Sequence, residues 1–274
     1  MSDLADLLRF RKQHPERSVV LQGARWGVID TAPQARPNSR PTLLLLPGTF
    51  GTAEIFWQQM RALARQLRLI ALTYPAVADV ERYADGAVQI LRQQGIRKMS
   101  VLGSSLGGYT AQILALRHPE RVETLFIGNS LCDPHSSWRP KHPPLEEMEA
   151  MPAREMKAAR LARVADWPES DAGLALAKRV IGLQGRDLIS ARHLKARVLA
   201  LLKAPDVPPL PIPQERIAII ECQDDPAIPP PMRKAVRTRY PGATVHSLPS
   251  GGHFPYISRA PQYNAILRQH LLES

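Results

Sequence analysis

The sequence has few of the residues on which disulfide-rich proteins and cysteine-based metal proteins depend. Only 2 of its 274 residues are cysteine, which excludes a disulfide framework and a zinc site built from cysteines. Cys132 and Cys222 both stand among apolar or strand-like neighbours. We therefore interpret both as reduced thiols in a protein core.

Long hydrophobic runs are also missing. No apolar run approaches the roughly 20 residues that a membrane-spanning helix needs. The opening segment, MSDLADLLRFRKQH, carries acidic residues and has no unbroken apolar core, so it does not resemble a secretory signal. These absences predict a cytoplasmic protein that makes no stable insertion into a membrane.

The chain lacks the common motifs for metals and nucleotides. It contains no H-E-x-x-H, no P-loop and no Rossmann glycine fingerprint. These patterns place a zinc ion, a nucleoside triphosphate or a dinucleotide in a protein. We therefore expect neither a metal ion nor a cofactor.

Positive charge is in excess, with 36 Lys and Arg residues against 25 Asp and Glu residues and a net charge of +11. Such a balance occurs in proteins that bind nucleic acid, an anionic membrane or an acidic partner. The richest stretch has basic residues at every third position: Arg154, Lys157, Arg160 and Arg163. On a helix this spacing places them close to one face. Because no helix-turn-helix, zinc-finger or aromatic-basic motif accompanies them, we predict a solvated face, able to attract anionic acyl substrates, and no nucleic-acid partner.

Short apolar segments alternate with amphipathic segments in the first half of the chain. Strand-like runs at Thr42–Leu46, Met99–Leu102 and Val122–Gly128 are separated by segments with helical spacing, such as Val80–Gln94 and Gly107–Arg117. This alternation is typical of a parallel sheet that is buried on both sides. The sequence therefore predicts an α/β fold with a mostly parallel central sheet and helices on both faces.

One long segment interrupts the alternation. Residues 132–213 are rich in proline, charge and helix formers and contain no strong strand pattern. Helices are predicted within it over Glu146–Val164, Asp171–Ile181 and His193–Lys203. The strand pattern then resumes at Arg216–Cys222. We predict one α/β core made of residues 1–131 and 214–274, with residues 132–213 as a helical cap.

A motif for a catalytic nucleophile follows one of the predicted strands. Gly103-Ser104-Ser105-Leu106-Gly107 has the pattern G-x-S-x-G, directly after Met99–Leu102 and at the start of Gly107–Arg117. A strand, a sharp turn and a helix are the context of a nucleophile elbow. The glycines are expected because the turn leaves no room for a Cβ at their positions. Ser105 is therefore the candidate nucleophile.

A serine hydroxyl needs a base that takes its proton. His253 lies in the segment Ser-Gly-Gly-His-Phe-Pro, after the last predicted strand and before the last helix. Of the 8 histidines, it is the one in a glycine-rich turn at the end of a strand. We therefore predict that His253 is the general base.

The base in turn needs an acid that orients it. Asp225 is the preferred candidate, because an apolar residue and Pro229 follow it at the usual distance. Asp224, its neighbour, and Asp133, which follows Val122–Gly128, are the alternatives. The order Ser, Asp, His along the chain is that of α/β-hydrolases.

Two backbone N–H groups are expected to stabilise an oxyanion. The residue after the nucleophile, Leu106, supplies one of them. Thr49 is the candidate for the other, since it follows Pro-Gly after a strand where many related sequences have His-Gly. Phe50, Tyr109 and Trp57 are candidates for substrate contacts, although packing in the core would explain them equally well.

These motifs resemble the α/β-hydrolase superfamily over nearly the whole chain. A narrower resemblance to the maspardin family rests on five segments: LPGTFGTAEIF (46–56), IALTYP (70–75), GSSLGGY (103–109), GNSLCD (128–133) and YPGA through GGHFPY (240–256). Animal maspardins keep the serine but have Asn and Gln where this chain has His253 and Asp225. They are regarded as binding proteins without hydrolase activity.

The complete set of Ser105, Asp225 and His253 predicts a serine hydrolase. The expected reaction is cleavage of an ester or related acyl bond in a small molecule, as in a carboxylesterase. Thioester and C–C hydrolysis on this fold use the same residues. The alternative function is a maspardin-like adaptor that binds a protein partner through its cap and basic surface.

Overall fold

The computed structural model describes residues 4–34 and 40–273. The predicted ends of the core, at residues 1 and 274, lie outside these ranges. Eight strands of the described residues form one sheet: β1 (Arg17–Leu21), β2 (Ala24–Asp30), β3 (Thr42–Leu46), β4 (Arg68–Thr73), β5 (Met99–Ser104), β6 (Val122–Gly128), β7 (Ile217–Cys222) and β8 (Thr244–Leu248).

The strand order is β1-β2-β4-β3-β5-β6-β7-β8. The pairs β1–β2 and β2–β4 are antiparallel, and each further pair is parallel. The predicted mostly parallel sheet is therefore confirmed. Because parallel strands end at the same edge of a sheet, the loops after β3, β5, β6, β7 and β8 meet there, which is where such folds place their sites.

Helices cover both faces of the sheet. The described residues form α1 (Leu4–Gln13), α2 (Trp57–Leu63), α3 (Val80–Gln93), α4 (Leu106–Arg117), α5 (Leu145–Ala150), α6 (Ala153–Ala165), α7 (Ala172–Leu183), α8 (Ala191–Leu202), α9 (Pro230–Arg239), α10 (Pro255–Ser258) and α11 (Ala260–Leu272). In β3, Leu44 and Leu46 pack with α3 and α4, whereas Leu43 and Leu45 pack with α2 and α11. None of these helices is long and apolar enough to cross a bilayer.

Two helical regions differ from the prediction. The segment predicted as one helix over Glu146–Val164 is divided into α5 and α6 at Pro152. Proline has no N–H, and its ring clashes with the preceding turn of a helix. The sequence pattern did not predict α1, which buries only Leu7 and Phe10 and so has a weak amphipathic signal.

A helical insertion, residues 134–202, lies between β6 and β7. It contains α5 to α8 and no strand. Met148, Met156, Val198, Leu199 and Leu202 form a small apolar cluster within it. Other residues of α7 and α8 belong to the two large clusters on the sheet faces. The insertion is therefore packed onto the core and does not stand apart from it.

A buried ion pair joins the antiparallel edge of the sheet to the parallel part. Arg68 Nη2 lies 2.7 Å from Asp30 Oδ2, and Arg68 Nε lies 3.2 Å from Asp30 Oδ1. The two side chains are 5% and 1% exposed. Arg68 also donates to Gln94, and Asp30 accepts from the N–H of Ala32. Removal of either partner would leave a buried charge without compensation.

We expect Arg68→Met to lower the free energy of unfolding by about 3–5 kcal/mol, because the Asp30 carboxylate would lose its counter-charge. Urea denaturation followed by circular dichroism measures this change. Arg61→Met is the matched control, since Arg61 lies 3.2 Å from Asp6 at the surface, and it should cost less than about 1 kcal/mol. Equal losses in the two variants would contradict the importance of the buried pair.

Candidate active site

The turn between β5 and α4 forces Ser105 into an unusual backbone conformation. Ser105 has φ 57° and ψ −121°, which is strained for a residue with a side chain. A Cβ on Gly103 would lie 1.9 Å from the carbonyl oxygen of Gly107, and a Cβ on Gly107 would lie 1.9 Å from that of Leu46. The close approach of β3, β5 and α4 therefore requires both glycines of the motif.

Neighbouring segments hold the backbone of Ser105. Its N–H donates to the carbonyl oxygen of Gly128 at 3.0 Å, and its carbonyl oxygen accepts from Ser130 Oγ at 2.7 Å. Gly48, from the loop after β3, also lies against Ser105, since a Cβ on Gly48 would be 3.2 Å from the Cβ of Ser105. Ser105 thus stands where the loops after β3, β5 and β6 meet.

His253, between β8 and α10, is paired with Asp225. Its Nδ1 lies 2.9 Å from Asp225 Oδ2 and 3.0 Å from Oδ1, and the two side chains are 6% and 0% exposed. Asp225 Oδ1 also accepts from the N–H groups of Ala227 and Ile228, at 2.7 and 3.0 Å. A carboxylate at Nδ1 keeps the proton on that nitrogen and leaves Nε2 free to accept one.

The other acidic candidates have different partners. Asp224 accepts from the N–H groups of Gly251 and Gly252, at 3.1 and 2.9 Å, and so supports the loop that carries His253. Asp133 accepts from Ser137 Oγ at 2.7 Å, at the start of the insertion. The structure therefore brings Asp225 to His253, and it brings neither Asp224 nor Asp133 there.

Asn129 joins the loops that carry the acid and the base. Its Nδ2 donates to Asp225 Oδ2 at 2.7 Å and to the carbonyl oxygen of Gly252 at 3.1 Å. It is 2% exposed and has φ 38°, which asparagine tolerates better than most residues. No motif pointed to Asn129. The one feature of the sequence that could have indicated a role in the site is that Asn129 is a polar residue directly after strand β6.

One candidate oxyanion residue, Leu106, follows Ser105 in the chain, and the other, Thr49, lines the same cavity. Leu106 is the first residue of α4 and is buried. Thr49 lines the same cavity as Ser105 and belongs to the loop 47–52, which follows β3. Backbone N–H groups at the start of a helix and in a loop of this kind are suited to hold a negative charge.

Two buried side chains from the insertion hold the loop 47–52. Arg197 of α8 is fully buried and donates to the carbonyl oxygens of Thr49 and Gly51, at 3.1 and 2.7 Å. Gln184, directly after α7, accepts from the N–H and Oγ1 of Thr52, at 2.9 and 2.8 Å. Burial lowers the pKa of Arg197 from its ordinary value. The insertion therefore fixes the position of the loop.

Ser105 and His253 line one cavity with a volume of about 130 Å³. Phe50 is also part of its wall. Tyr109 and Trp57, the other candidates for substrate contacts, are outside the wall and fully buried in the core, and the hydroxyl of Tyr109 donates to the carbonyl oxygen of Pro205. These two residues are therefore core residues, which corrects the expectation.

Only part of the basic stretch on α6 reaches this cavity. Arg160 and Arg163 line it, whereas Arg154 is exposed and Lys157 donates to backbone carbonyls after α7. The prediction of one shared face is wrong. Each step of three residues falls short of a full turn by about 60°, so Arg163 lies on the side of α6 opposite to Arg154.

Within the described residues, 4–34 and 40–273, no cluster of three or more His, Cys, Asp or Glu side chains is suited to a metal ion. Cys132 and Cys222 are free and buried, as predicted. Cys222 lies three residues before Asp225, and burial raises the pKa of its thiol to about 12. Its thiol is therefore protonated at neutral pH.

The alpha/beta hydrolase family matches residues 43–266, and the chain belongs to this family. It is similar to maspardin from Mus musculus, with 27% identity over an alignment of 279 positions. The alignment covers 96% of this chain and 85% of the mouse protein. The predicted superfamily and the resemblance to maspardin are therefore confirmed.

Solved structures of low sequence identity have the same fold. A thermophilic esterase from Thermogutta terrifontis has a TM-score of 0.73 at 18% identity and covers 94% of this chain and 98% of that chain. The enol-lactonase from Burkholderia xenovorans LB400 has a TM-score of 0.72 at 17% identity, with 93% and 99% covered. The α/β-hydrolase fold extends over almost all of the chain.

Proposed function

We propose that the protein is a serine hydrolase that cleaves an ester or related acyl bond through an acyl-enzyme on Ser105. The observation that carries this proposal is the buried pair of His253 and Asp225, because His253 lines the same cavity as Ser105. A protein that only binds a partner has no need of this pair. Membership of the hydrolase family and the likeness in fold to an esterase agree with the proposal.

In the first half of the proposed reaction, Ser105 Oγ attacks the carbonyl carbon of the substrate and Nε2 of His253 takes the hydroxyl proton. Asp225 accepts the hydrogen bond from Nδ1 and stabilises the imidazolium. The C–O bond to the leaving group then breaks, and the leaving alcohol takes the proton from Nε2. The acyl group remains on Ser105, and His253 is neutral again.

The tetrahedral oxyanion is assigned to the N–H groups of Leu106 and Thr49. Leu106 begins α4, where the helix dipole favours negative charge. Arg197 and Gln184 hold the loop of Thr49 in place before the reaction starts. Donors that are fixed in this way lower the barrier by about 3–4 kcal/mol each.

In the second half, a water molecule attacks the acyl carbon while His253 Nε2 takes one of its protons. The bond to Ser105 Oγ breaks, and Oγ receives this proton from His253. The carboxylic acid leaves, and the resting state is restored. One water molecule is consumed for each ester that is cleaved.

We assign residues 132–213 to a cap that selects the substrate. The insertion contributes Trp138, Trp167 and Val198 to the wall of the cavity, together with the basic residues of α6. The core contributes the reacting residues. Substrate choice would therefore change with the cap, and the chemistry would stay with the core.

A binding role is the second candidate function. This role is favoured by the similarity to maspardin, which matches 96% of the chain at 27% identity. Such a protein would hold a protein partner through its insertion and its basic surface, and Ser105 would be unreactive. The reactivity of Ser105 therefore distinguishes the two functions.

We expect a fluorophosphonate probe to label Ser105, because His253 can take the hydroxyl proton as Oγ attacks phosphorus. Peptide mapping by mass spectrometry locates the label. Ser105→Ala should abolish labelling, whereas the control Ser104→Ala, at the buried neighbouring position, should keep it. Folded protein that takes no label, or that is labelled elsewhere, would favour the binding role.

We expect p-nitrophenyl esters with short acyl chains to be the best of a graded series from acetate to octanoate. The cavity of about 130 Å³ is close to the roughly 150 Å³ that accommodates benzene in an engineered protein cavity. Values of kcat/KM for the series test this limit. A maximum at octanoate would show that the cavity does not bind the acyl chain.

We expect Asp225→Asn to lower kcat by about 10⁴, the loss that follows when the base is held in the wrong tautomer. Asp224→Asn should lower it by less than about tenfold, because an amide oxygen can still accept one of the two backbone N–H groups. Ester turnover by both variants provides the test. A larger loss in Asp224→Asn would assign the acid to Asp224, and no loss in either would leave Asp133.

A further inference from the structure

Arg160, on α6, lies in the wall of the cavity that Ser105 and His253 share. It is half-buried, and its Cζ lies 5.8 Å from the centre of the Trp138 ring. A cation–π contact of this kind orients a guanidinium group. This contact places the guanidinium charge at the cavity wall.

No acidic side chain in the described part of the chain forms an ion pair with Arg160. Other arginines of the protein have such partners, as Arg68 has in Asp30 and Arg259 in Asp171. Burial, and then the charge of Arg163, lowers the pKa of Arg160 to about 10, so it is a cation at neutral pH. A half-buried cation without a counter-charge is unfavourable, and a bound anion would relieve this cost.

The rest of the cavity wall contains no negative charge. Apart from Ser105, His253, Thr49 and the two arginines, the lining side chains are apolar or aromatic. Asp225, the acid closest to the site, is already engaged by His253 and by backbone N–H groups. No side chain of the cavity wall therefore neutralises Arg160, and an anionic ligand in the cavity would do so.

We propose that Arg160 binds a carboxylate of the substrate, so that the preferred substrates are esters that carry a carboxylate in addition to the ester bond. The part that concerns bond cleavage rests on the proposed function. A guanidinium can form two parallel hydrogen bonds with a carboxylate, which gives both strength and orientation. Arg163, which is exposed on the same wall, adds positive potential that attracts the anion.

The volume of the cavity limits the distance between the two groups. We place the carboxylate and the scissile carbonyl in the same cavity of about 130 Å³, which is close to the volume of a cavity that binds benzene. Only a few methylene groups can separate them. The inferred substrate class is therefore the half-esters of short dicarboxylic acids, with roughly four to six carbons in the acid.

Two esters of nearly equal shape test the proposal. Ethyl hydrogen glutarate carries the carboxylate, and ethyl glutaramate carries a neutral carboxamide in its place. The readout is the ratio of their kcat/KM values, measured by ethanol release. We expect a ratio of at least about tenfold in the natural protein and a drop of about tenfold or more in Arg160→Gln, because a hydrogen-bonded charge pair contributes an effect of this size.

Arg154→Gln is the matched control, since it removes the same charge from an exposed position of the same helix, outside the cavity wall. Its ratio should stay within about twofold of the natural one, because an exposed charge is screened by solvent. Arg160→Lys should retain more of the ratio than Arg160→Gln. A natural ratio near one, or equal drops in Arg154→Gln and Arg160→Gln, would overturn the proposal.

A binding measurement separates this proposal from the hydrolase function. In Ser105→Ala, which cannot form an acyl-enzyme, the probe is 5-oxohexanoate, in which a ketone replaces the ester. Calorimetry should give a Kd at least about tenfold weaker when Arg160→Gln is added. If no ester is cleaved and Ser105 takes no label, the hydrolase function fails, and this difference in affinity still tests the carboxylate site. Equal affinities would overturn it.

Discussion

The close contact of β3, β5 and α4 at Ser105 is the constraint on which the rest of the site depends. The two glycines of the turn allow this approach, since a Cβ at either position would overlap a carbonyl group. This approach leaves Ser105 with a backbone strain of about 1–3 kcal/mol. The packing of the fully buried strands around Ser105 offsets this strain. The same approach brings Gly48 and Ser130 against Ser105. The position of the hydroxyl is thus set by the backbone of three neighbouring segments.

Buried arginines hold two further loops of the site, those after β3 and β7. Arg197 of α8 donates to carbonyl oxygens in the loop 47–52, and Arg233 of α9 donates to those of Ile228 and Gln223, on either side of Asp225. A guanidinium has several donors in one plane, so it can satisfy more than one inward-pointing carbonyl. Loops are ordinarily the mobile parts of a protein. Here each is tied to a helix, which restrains the loop 47–52 and the segment around Asp225.

The sequence predicts those features that have a local signal. The strands follow from short apolar runs, and Ser105 and His253 stand out because glycines surround them at strand ends. Asn129 and Arg197 have no such signal, because their partners are supplied by segments that are far away in the chain. Tyr109 has no local signal for a related reason: its hydroxyl partner, the carbonyl oxygen of Pro205, belongs to a segment that is far away in the chain. The basic residues of α6 are a different case, since a spacing of three residues falls short of a full helical turn.

The way in which the insertion is attached has a consequence for how proteins of this kind can diverge. Gln184 and Arg197 hold the loop 47–52 through buried hydrogen bonds, so in the proposed reaction substitutions at these positions would affect every substrate. The cavity-lining residues of α6 take no part in those hydrogen bonds. Under the proposed function, mutations on α6 would therefore change the choice of substrate without loss of the chemistry. An exchange of this one helix between related chains is thus a route to new specificities in the laboratory.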